Sequence, residues 1–338
     1  MKILFVGATW RGSNAQSYRR AFERLGHEVV AVDPETMLAR YGKSLFLRVC
    51  YRVLGGPLPS DRSRIRASFV RASLDAKPDL VFVARGIWLK KEDLERVRAA
   101  TGAILVHWHP DDYRNPANTS SAFQEAIPAY DLHVTPKSFN VAELESDGAR
   151  RVVYLPYAYD PEVHRPVSPD PALERDVVFV GSYETERARF MEFLASRGVE
   201  LSIWGGGWEK LSRRSPLRPC CRFRGVLAED MARVFASSKL CLGFLRKINR
   251  DRHTARTFEI PACGGAMLAE RSDEQLEFFR EDVEALYFGN EEELLGKVRF
   301  YLKREDLLER LRAAALERCR TSPYRYEDRA RAILEEVS

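Results

Sequence analysis

Residues 249–265 read Asn-Arg-Asp-Arg-His-Thr-Ala-Arg-Thr-Phe-Glu-Ile-Pro-Ala-Cys-Gly-Gly. Arginines, a histidine and two carboxylates run straight into a short apolar segment that stops on a glycine pair. A solvated helix would spread such charges along its length, and a core helix would not carry them. The stretch reads instead as a charged loop, residues 246–252, followed by a helix that starts near Thr254. Arg256 and Thr257 fall in its first turns and Glu259 just beyond. Free N–H groups at such a start carry the positive end of the helix dipole and favour an anion. Gly264 and Gly265 end the helix, and Pro261 is expected to distort it. Residues 239–245, just upstream, form a short apolar strand, so the whole is a strand, a loop and a helix.

The same unit recurs in both directions from this point. In the second half, residues 176–180 and 201–204 read as strands, and 184–197, 275–279, 291–301 and 304–320 as helices. In the first half, strands at 3–6, 29–32, 80–84, 104–107, 131–135 and 152–155 alternate with helices at 17–25 and 89–100. Short apolar strands separated by helices imply parallel sheets covered on both faces. Between the halves, Pro156, Pro161, Pro166, Pro169 and Pro171 mark a connection. The expected architecture is α/β: two Rossmann-like doubly wound domains, 1–166 and 167–322, facing across a cleft. A tail helix, 323–338, is expected to pack back across their junction.

Bulk properties agree with two domains. The chain has 338 residues, 45% hydrophobic and 30% charged, which is more than one core usually serves. A formal net charge of +5 with no nucleic-acid-binding motif argues against a nucleic-acid partner. The charge is uneven: from Arg40 to Arg71 the only acid is Asp61, and the bases are interleaved with Leu45, Phe46, Leu47, Val49, Tyr51 and Leu54. This segment is either a solvated amphipathic helix and loop or a surface for peripheral contact with anionic lipid or an anionic acceptor. Six cysteines lack metal-ligand spacing, two of them being adjacent. No stretch approaches the roughly 18 apolar residues of a spanning helix. A reduced cytoplasmic protein is expected, peripheral to the inner face of the membrane if the basic segment meets lipid.

Ligands of open parallel sheets sit at the carboxyl ends of the strands. The loop from Gly7 to Asn14 lacks the Gly-x-Gly-x-x-Gly spacing, so it is either a plain tight turn or part of the lining of an acceptor pocket. The strand ending in His-Trp-His-Pro-Asp-Asp-Tyr, 107–113, offers His109, Asp111 and Asp112 either for contacts to a substrate or for helix capping. No third cluster of ligands accompanies them, and no metal is expected. Gly181 and Ser182 lead into a helix carrying Arg187, which is either an ordinary turn or a phosphate site. Arg224, Gly225 and Val226 form a further loop of the second half. One ligand with negative charge in its middle and hydroxyls at both ends would satisfy Thr254, Arg256, Thr257, Glu259 and Asp251 together, and a nucleotide sugar has that layout.

These residues resemble the GT-B glycosyltransferases, most closely the CgeB/YkvP-like, spore-maturation type related to the retaining group. The resemblance runs through Phe-Val-Gly-Ser at 179–182, Phe-Arg-Gly-Val at 223–226, Ser-Ser-Lys-Leu at 237–240 and Arg-Thr-Phe-Glu-Ile-Pro-Ala-Cys-Gly-Gly at 256–265. It continues less specifically through His-Pro-Asp-Asp at 109–112, Tyr-Asp-Leu at 130–132, Thr-Pro-Lys at 135–137 and Tyr-Leu-Pro-Tyr-Ala at 154–158. It implies a transferase of the hexosyl type that uses a nucleotide-diphosphate sugar, UDP-linked before others, with no further cofactor. Retaining members carry two glutamates eight positions apart, the second on the ribose and the first on the transferred sugar. Glu259 matches the second, and Asp251 stands in place of the first. Arg187 matches one of the family's two phosphate-binding cations; Ser182 or Tyr183 replaces the other, and Arg256 is expected to supply the missing charge. His109 and Asp111 would face the sugar, and Asp111 or Asp112 would serve as base if the enzyme inverts. The acceptor, a glycan, lipid-linked group, protein or other hydroxyl compound, would belong to the N-terminal domain. The shorter carboxylate at 251 keeps open a catalytically silent nucleotide-sugar-binding protein, and the shared architecture keeps open a nucleotide-sugar epimerase.

Overall fold

The computed structural model describes all 338 residues, and the chain divides into two compact units. Unit 1 comprises Met1–Pro156, Ile248–Arg250 and Tyr326–Ser338; unit 2 comprises Tyr157–Lys247 and Asp251–Arg325. Unit 1 runs β1 (Lys2–Val6), α1 (Asn14–Arg24), β2 (Glu28–Val32), α2 (Pro34–Lys43), α3 (Leu45–Val53), α4 (Pro59–Ala76), β3 (Leu80–Ala84), α5 (Lys91–Thr101), β4 (Ile104–Trp108), α6 (Ser121–Ala126), β5 (Leu132–Thr135), α7 (Asn140–Ser146) and β6 (Val152–Tyr154). Unit 2 runs β7 (Arg175–Val180), α8 (Thr185–Ala195), β8 (Leu201–Trp204), α9 (Ala228–Ala236), β9 (Ser238–Gly243), α10 (Ala255–Ala262), β10 (Met267–Glu270), α11 (Asp273–Phe278), β11 (Leu286–Phe288), α12 (Glu291–Tyr301) and α13 (Glu305–Thr321). The last helix, α14 (Tyr326–Glu336), belongs to unit 1.

Each unit is built on one wholly parallel sheet. Unit 1 has the order β2-β1-β3-β4-β5-β6 and unit 2 the order β11-β10-β9-β7-β8. Ile3 on β1 registers with Val29 of β2 and with Leu80 of β3. All five residues of β3 are buried, as a strand covered by helices on both faces requires. In both sheets the first strand of the unit lies between the second and the third. The direction of winding therefore reverses between β1 and β3, and again between β7 and β9. Such switch points leave a crevice at the carboxyl ends of the strands.

Local chemistry sets the ends of the helices around these crevices. The Ser13 hydroxyl accepts from the Ala15 N–H at 3.2 Å and caps α1. Asp33 caps α2 through the Glu35 N–H at 2.8 Å, with Pro34 at the first helical position. Between Arg40 and Arg71 the sequence suggested one amphipathic helix and a loop; α2, α3 and α4 are found. Strands β10 and β11, of four and three residues, are too short to display a period and escape the periodicity reading, as does the nine-residue helix α9. No helix is long and apolar enough to cross a membrane.

Candidate active site

The switch point of unit 2 gathers the charged residues that follow β7 and β9. Gly181 ends β7, and its backbone lies so close to the next loop that a Cβ on Gly205 would stand 2.0 Å from the Gly181 carbonyl oxygen. Gly205, at φ +145°, is therefore a position only glycine fills. The Gly181 carbonyl accepts from the indole N–H of Trp208 at 2.9 Å, and the Tyr183 N–H donates to Gly206 at 2.9 Å. These bonds hold residues 181–183 in place at the start of α8.

From α8 the Arg187 side chain turns back to that loop. Its Nη1 donates to the Ser182 carbonyl at 3.1 Å and its Nη2 to Glu184 at 3.0 Å. The guanidinium carbon sits 5.5 Å from the centre of the Phe179 ring. Only 7% of Arg187 is exposed, and its Nε, also buried, has no hydrogen-bond partner. Burial pulls its pKa down, opposed by the carboxylate of Glu184. Glu184 spans two arginines, since its other oxygen accepts from Arg246 Nε at 2.7 Å. The Arg246 N–H in turn donates to Asp251 Oδ2 at 3.3 Å, so the loop after β9 closes on itself around these groups.

Helix α10 supplies the other half of the cluster. Its start is fixed by the Thr254 N–H donating to the Thr257 hydroxyl at 3.1 Å, and that hydroxyl donates to Gln275 at 3.0 Å. Arg256 crosses to β7, where Nε donates to the Val180 carbonyl at 3.2 Å, and its Nη1 pairs with Glu259. Glu259 is 3% exposed and lies 3.6 Å from His164 Nε2. Burial pulls His164 downward in pKa although Glu259 opposes this. Pro261 stands one residue before the helix ends. There Gly264, at φ +77°, donates to the Pro261 carbonyl at 2.9 Å and Gly265 to the Ile260 carbonyl at 3.0 Å. That pair of bonds is a Schellman motif, the physical reason for the two glycines. The loop carrying Arg224, Gly225 and Val226 is largely exposed; its Arg224 carbonyl accepts from Gly205 at 2.9 Å, and its guanidinium lies 5.1 Å from the Trp204 ring centre.

In unit 1 the switch point holds a pocket at the ends of β1 and β3, lined by Gly7, Glu35, Leu38, Tyr51, Arg85 and Trp88 among others. Gly7 is packed tightly, a Cβ there meeting the Ala84 Cβ at 2.8 Å. Asp33 Oδ2 accepts from both the N–H and the hydroxyl of Thr9, at 2.8 and 2.6 Å. It thus serves as the clasp of this loop as well as a helix cap.

Two of the residues after β4, His109 and Asp112, are used otherwise than as contacts to a substrate. His109 is 2% exposed; Nε2 meets the Asn118 carbonyl at 2.9 Å and Nδ1 accepts from the Asp111 N–H at 3.3 Å. Both nitrogens hold the loop, and neither is presented to a sugar. Asp112 is also buried, gripped by Arg250 Nε at 2.6 Å and Nη2 at 2.8 Å and by Asn140 at 3.1 Å. Burial raises its pKa, but Arg250, Asn140 and the Arg114 N–H outweigh that and hold it below the usual carboxylate value. A carboxylate clamped this way is a poor proton acceptor. Asp111 is partly exposed and accepts from Asn249 at 2.7 Å. His107 and His133, register neighbours on β4 and β5, meet Nδ1 to Nδ1 at 3.0 Å inside the sheet.

Residues 186–335 match the model of a family described as glycosyl transferase-like. Many solved structures are similar, among them three that match over the whole chain. Sucrose-phosphate synthase from Thermosynechococcus elongatus has a TM-score of 0.66 at 11% identity and covers 100% of this chain and 98% of its own. HepE from Anabaena, in complex with UDP-glucose, has 0.66 at 14%, covering 99% and 100%. A glycosyltransferase from Rickettsia africae has 0.63 at 13%, covering 99% and 97%. A search by sequence among curated proteins found no match. The fold is GT-B.

In this GT-B chain the structure brings Ser182, Arg187, Asp251, Arg256 and Glu259 to one switch point and leaves His109 and Asp112 inside the loop framework of unit 1. Sequence reasoning missed Glu184, Arg246 and His164. Glu184 had a legible signal, its place just before α8 and three residues ahead of Arg187. His164 had none, since it lies in the irregular stretch before β7. The cluster balances Arg187, Arg246 and Arg256 against Glu184, Asp251 and Glu259.

Proposed function

We propose that this chain is a glycosyltransferase that transfers a sugar from a nucleotide-diphosphate sugar, UDP-linked before others, to a hydroxyl acceptor of carbohydrate type. The observation that carries this reading is the convergence of Arg187, Arg246 and Arg256 on the switch point of unit 2. Asp251 and Glu259 lie there too, eight positions apart, with Asp251 standing where the retaining members of the group this chain resembles carry the first of two glutamates. Arg187 and Arg256, with the amino end of α10, bind the diphosphate. Glu259 takes the ribose hydroxyls once Arg256 turns to the phosphate, and Asp251 takes a hydroxyl of the donor sugar. HepE, of the same fold, has been captured with UDP-glucose, which supports UDP as the nucleotide.

The reaction breaks the bond between the anomeric carbon and the diphosphate oxygen and forms one from that carbon to the acceptor oxygen. Negative charge grows on the leaving phosphate, and preorganised guanidinium groups aimed at it are the large catalytic contribution in such a step. With those cations in place the chemistry calls for no metal. The acceptor proton passes to the departing phosphate oxygen, and the configuration at the anomeric carbon is retained. This route needs no dedicated base, in keeping with the clamped state of Asp112.

Thermal unfolding with UDP, GDP, dTDP and CMP, repeated on Arg187→Met, is the test. A ligand at 100 times its Kd stabilises the folded state by about 2.7 kcal/mol. The expected result is a rise with one nucleotide that disappears in the variant, followed by transfer from its sugar conjugate that Asp251→Asn reduces at least tenfold. No rise with any nucleotide would overturn the reading. Binding without turnover would leave a silent binding protein, and epimerisation of the donor alone would make it an epimerase.

A further inference from the structure

Helix α3 turns its apolar face outward. On a helix of 3.6 residues per turn, Leu45, Phe46, Val49 and Val53 share an arc of about 100°, and they are 69%, 71%, 53% and 78% exposed. No residue of α3 is buried. Six of the fourteen exposed large apolar side chains of the chain fall within residues 45–54, so this is a patch and not scatter. The helix is nevertheless held from its other side. The Tyr51 ring stands edge-on to Tyr41 at 5.6 Å, the Ser44 hydroxyl accepts from Leu47 at 3.3 Å, and Arg62 donates to the Leu54 carbonyl at 3.1 Å.

Charge says what covers the patch. Lys43, Arg48 and Arg52 are exposed and enter no ion pair, and Arg48 and Arg52 flank the apolar arc on one side. The one acid of the segment, Asp61, is buried and already neutralised by Arg40 at 2.5 Å. A second copy of this chain would set these cations against their own images. An anionic bilayer fits both features. A nine-residue helix, about 14 Å long, lies in the interface with its apolar arc among the acyl chains, while the arginine stems reach back to lipid phosphates.

We infer that α3 is a membrane-docking helix that seats unit 1 on an anionic lipid surface. Tyr51 of the same helix lines the pocket at the ends of β1 and β3. Docking therefore sets that pocket about one helix width from the bilayer, within reach of an acceptor carried on a lipid. The docking itself does not depend on the transferase reading and is tested without it.

The test is flotation of the full chain with vesicles of phosphatidylcholine alone and of phosphatidylcholine mixed with phosphatidylglycerol. Two variants are compared: Phe46→Ser with Val49→Ser and Val53→Ser, and Arg48→Gln with Arg52→Gln. The chain is expected to float with the anionic vesicles and far less with the neutral ones. The serine variant should abolish flotation, and the glutamine variant should weaken binding roughly 30-fold, from the usual contribution of a basic residue near an anionic surface. Both should melt close to the parent, because the altered side chains are all exposed. Absence of flotation with anionic vesicles, or flotation untouched by the serine variant, would overturn the inference. So would sedimentation showing a dimer that the serine variant disperses, which would make a second copy the occupant.

Discussion

Arg250 stands in the left-handed region at φ +48° and grips two carboxylates of unit 1, Asp112 and Glu143, the latter at 2.8 and 2.9 Å. Its guanidinium also lies 4.2 Å from the Phe139 ring centre. Arg250→Met would strand Asp112, which is 2% exposed, without its cation. Because the arginine is itself 43% exposed, the cost is about 1–3 kcal/mol, below that of breaking a fully buried pair. The acid limb carries a second expectation. Glu143 is lowered chiefly by its bond to Arg250, and Asp112 is lowered by Arg250 and Asn140 against the pull of burial. Native pKa values below the unfolded ones mean that the unfolded chain binds more protons as pH falls through about 4, so this stability is present above that pH and lost below it. Melting temperatures from pH 7 to 3 should show a lower and flatter curve for Arg250→Met. Coincident curves would remove the clamp from the account. The same residues show where a sequence misleads: His109 and the aspartates after it have the composition of a substrate site, but whether an imidazole faces solvent depends on the Asn118 carbonyl nine residues on, which no local pattern encodes.

At the scale of the element, α10 was the most legible part of the chain, because its cap, its charges and its glycines lie within one short stretch. Its two terminal glycines are required for different reasons. Gly264 has only Pro166 atoms near its missing Cβ, at 3.9 Å and beyond, and a positive φ. Gly264→Ala therefore costs backbone strain alone, about 1 kcal/mol. A Cβ on Gly265 would meet the Ile260 Cγ2 at 3.0 Å and the Cys241 Sγ at 3.1 Å, an overpacking of about 1–3 kcal/mol. Urea unfolding should find both variants destabilised, with Gly265→Ala the worse; a neutral Gly264→Ala would deny the left-handed turn. The elements that could not be read are those whose form is settled by distant partners. Leu286–Phe288 is a strand only because Leu268, Ala269 and Glu270 lie beside it, and α3 separates from α2 at Ser44, an exchange of caps with no break in composition.

For the whole molecule, the alternation of strand and helix was sufficient to foresee two doubly wound sheets, since each strand–helix unit is local. The order of strands was not, because it rests on pairings between segments far apart in the chain. Membership of the last helix is another such property. The chain completes unit 2 before α14, yet α14 packs on α1 in unit 1. The Tyr326 ring meets Tyr18 at 4.9 Å, Arg24 pairs with Glu327 at 2.6 Å, and Arg329 donates to the Pro156 carbonyl at 2.8 Å. Tyr326, Ala330 and Ile333 are at most 1% exposed. Ending the chain after Arg325 would uncover Tyr18, which is itself 1% exposed, and forfeit the burial of two large side chains, about 3–6 kcal/mol. For a unit of this size that lowers the melting temperature by roughly 10 °C. Because none of these contacts involves unit 2, calorimetry of the truncated chain should show the transition of unit 1 displaced and that of unit 2 unmoved. Two transitions falling together would mean that the units unfold as one, and an unchanged thermogram would mean that α14 contributes nothing to the unit it joins.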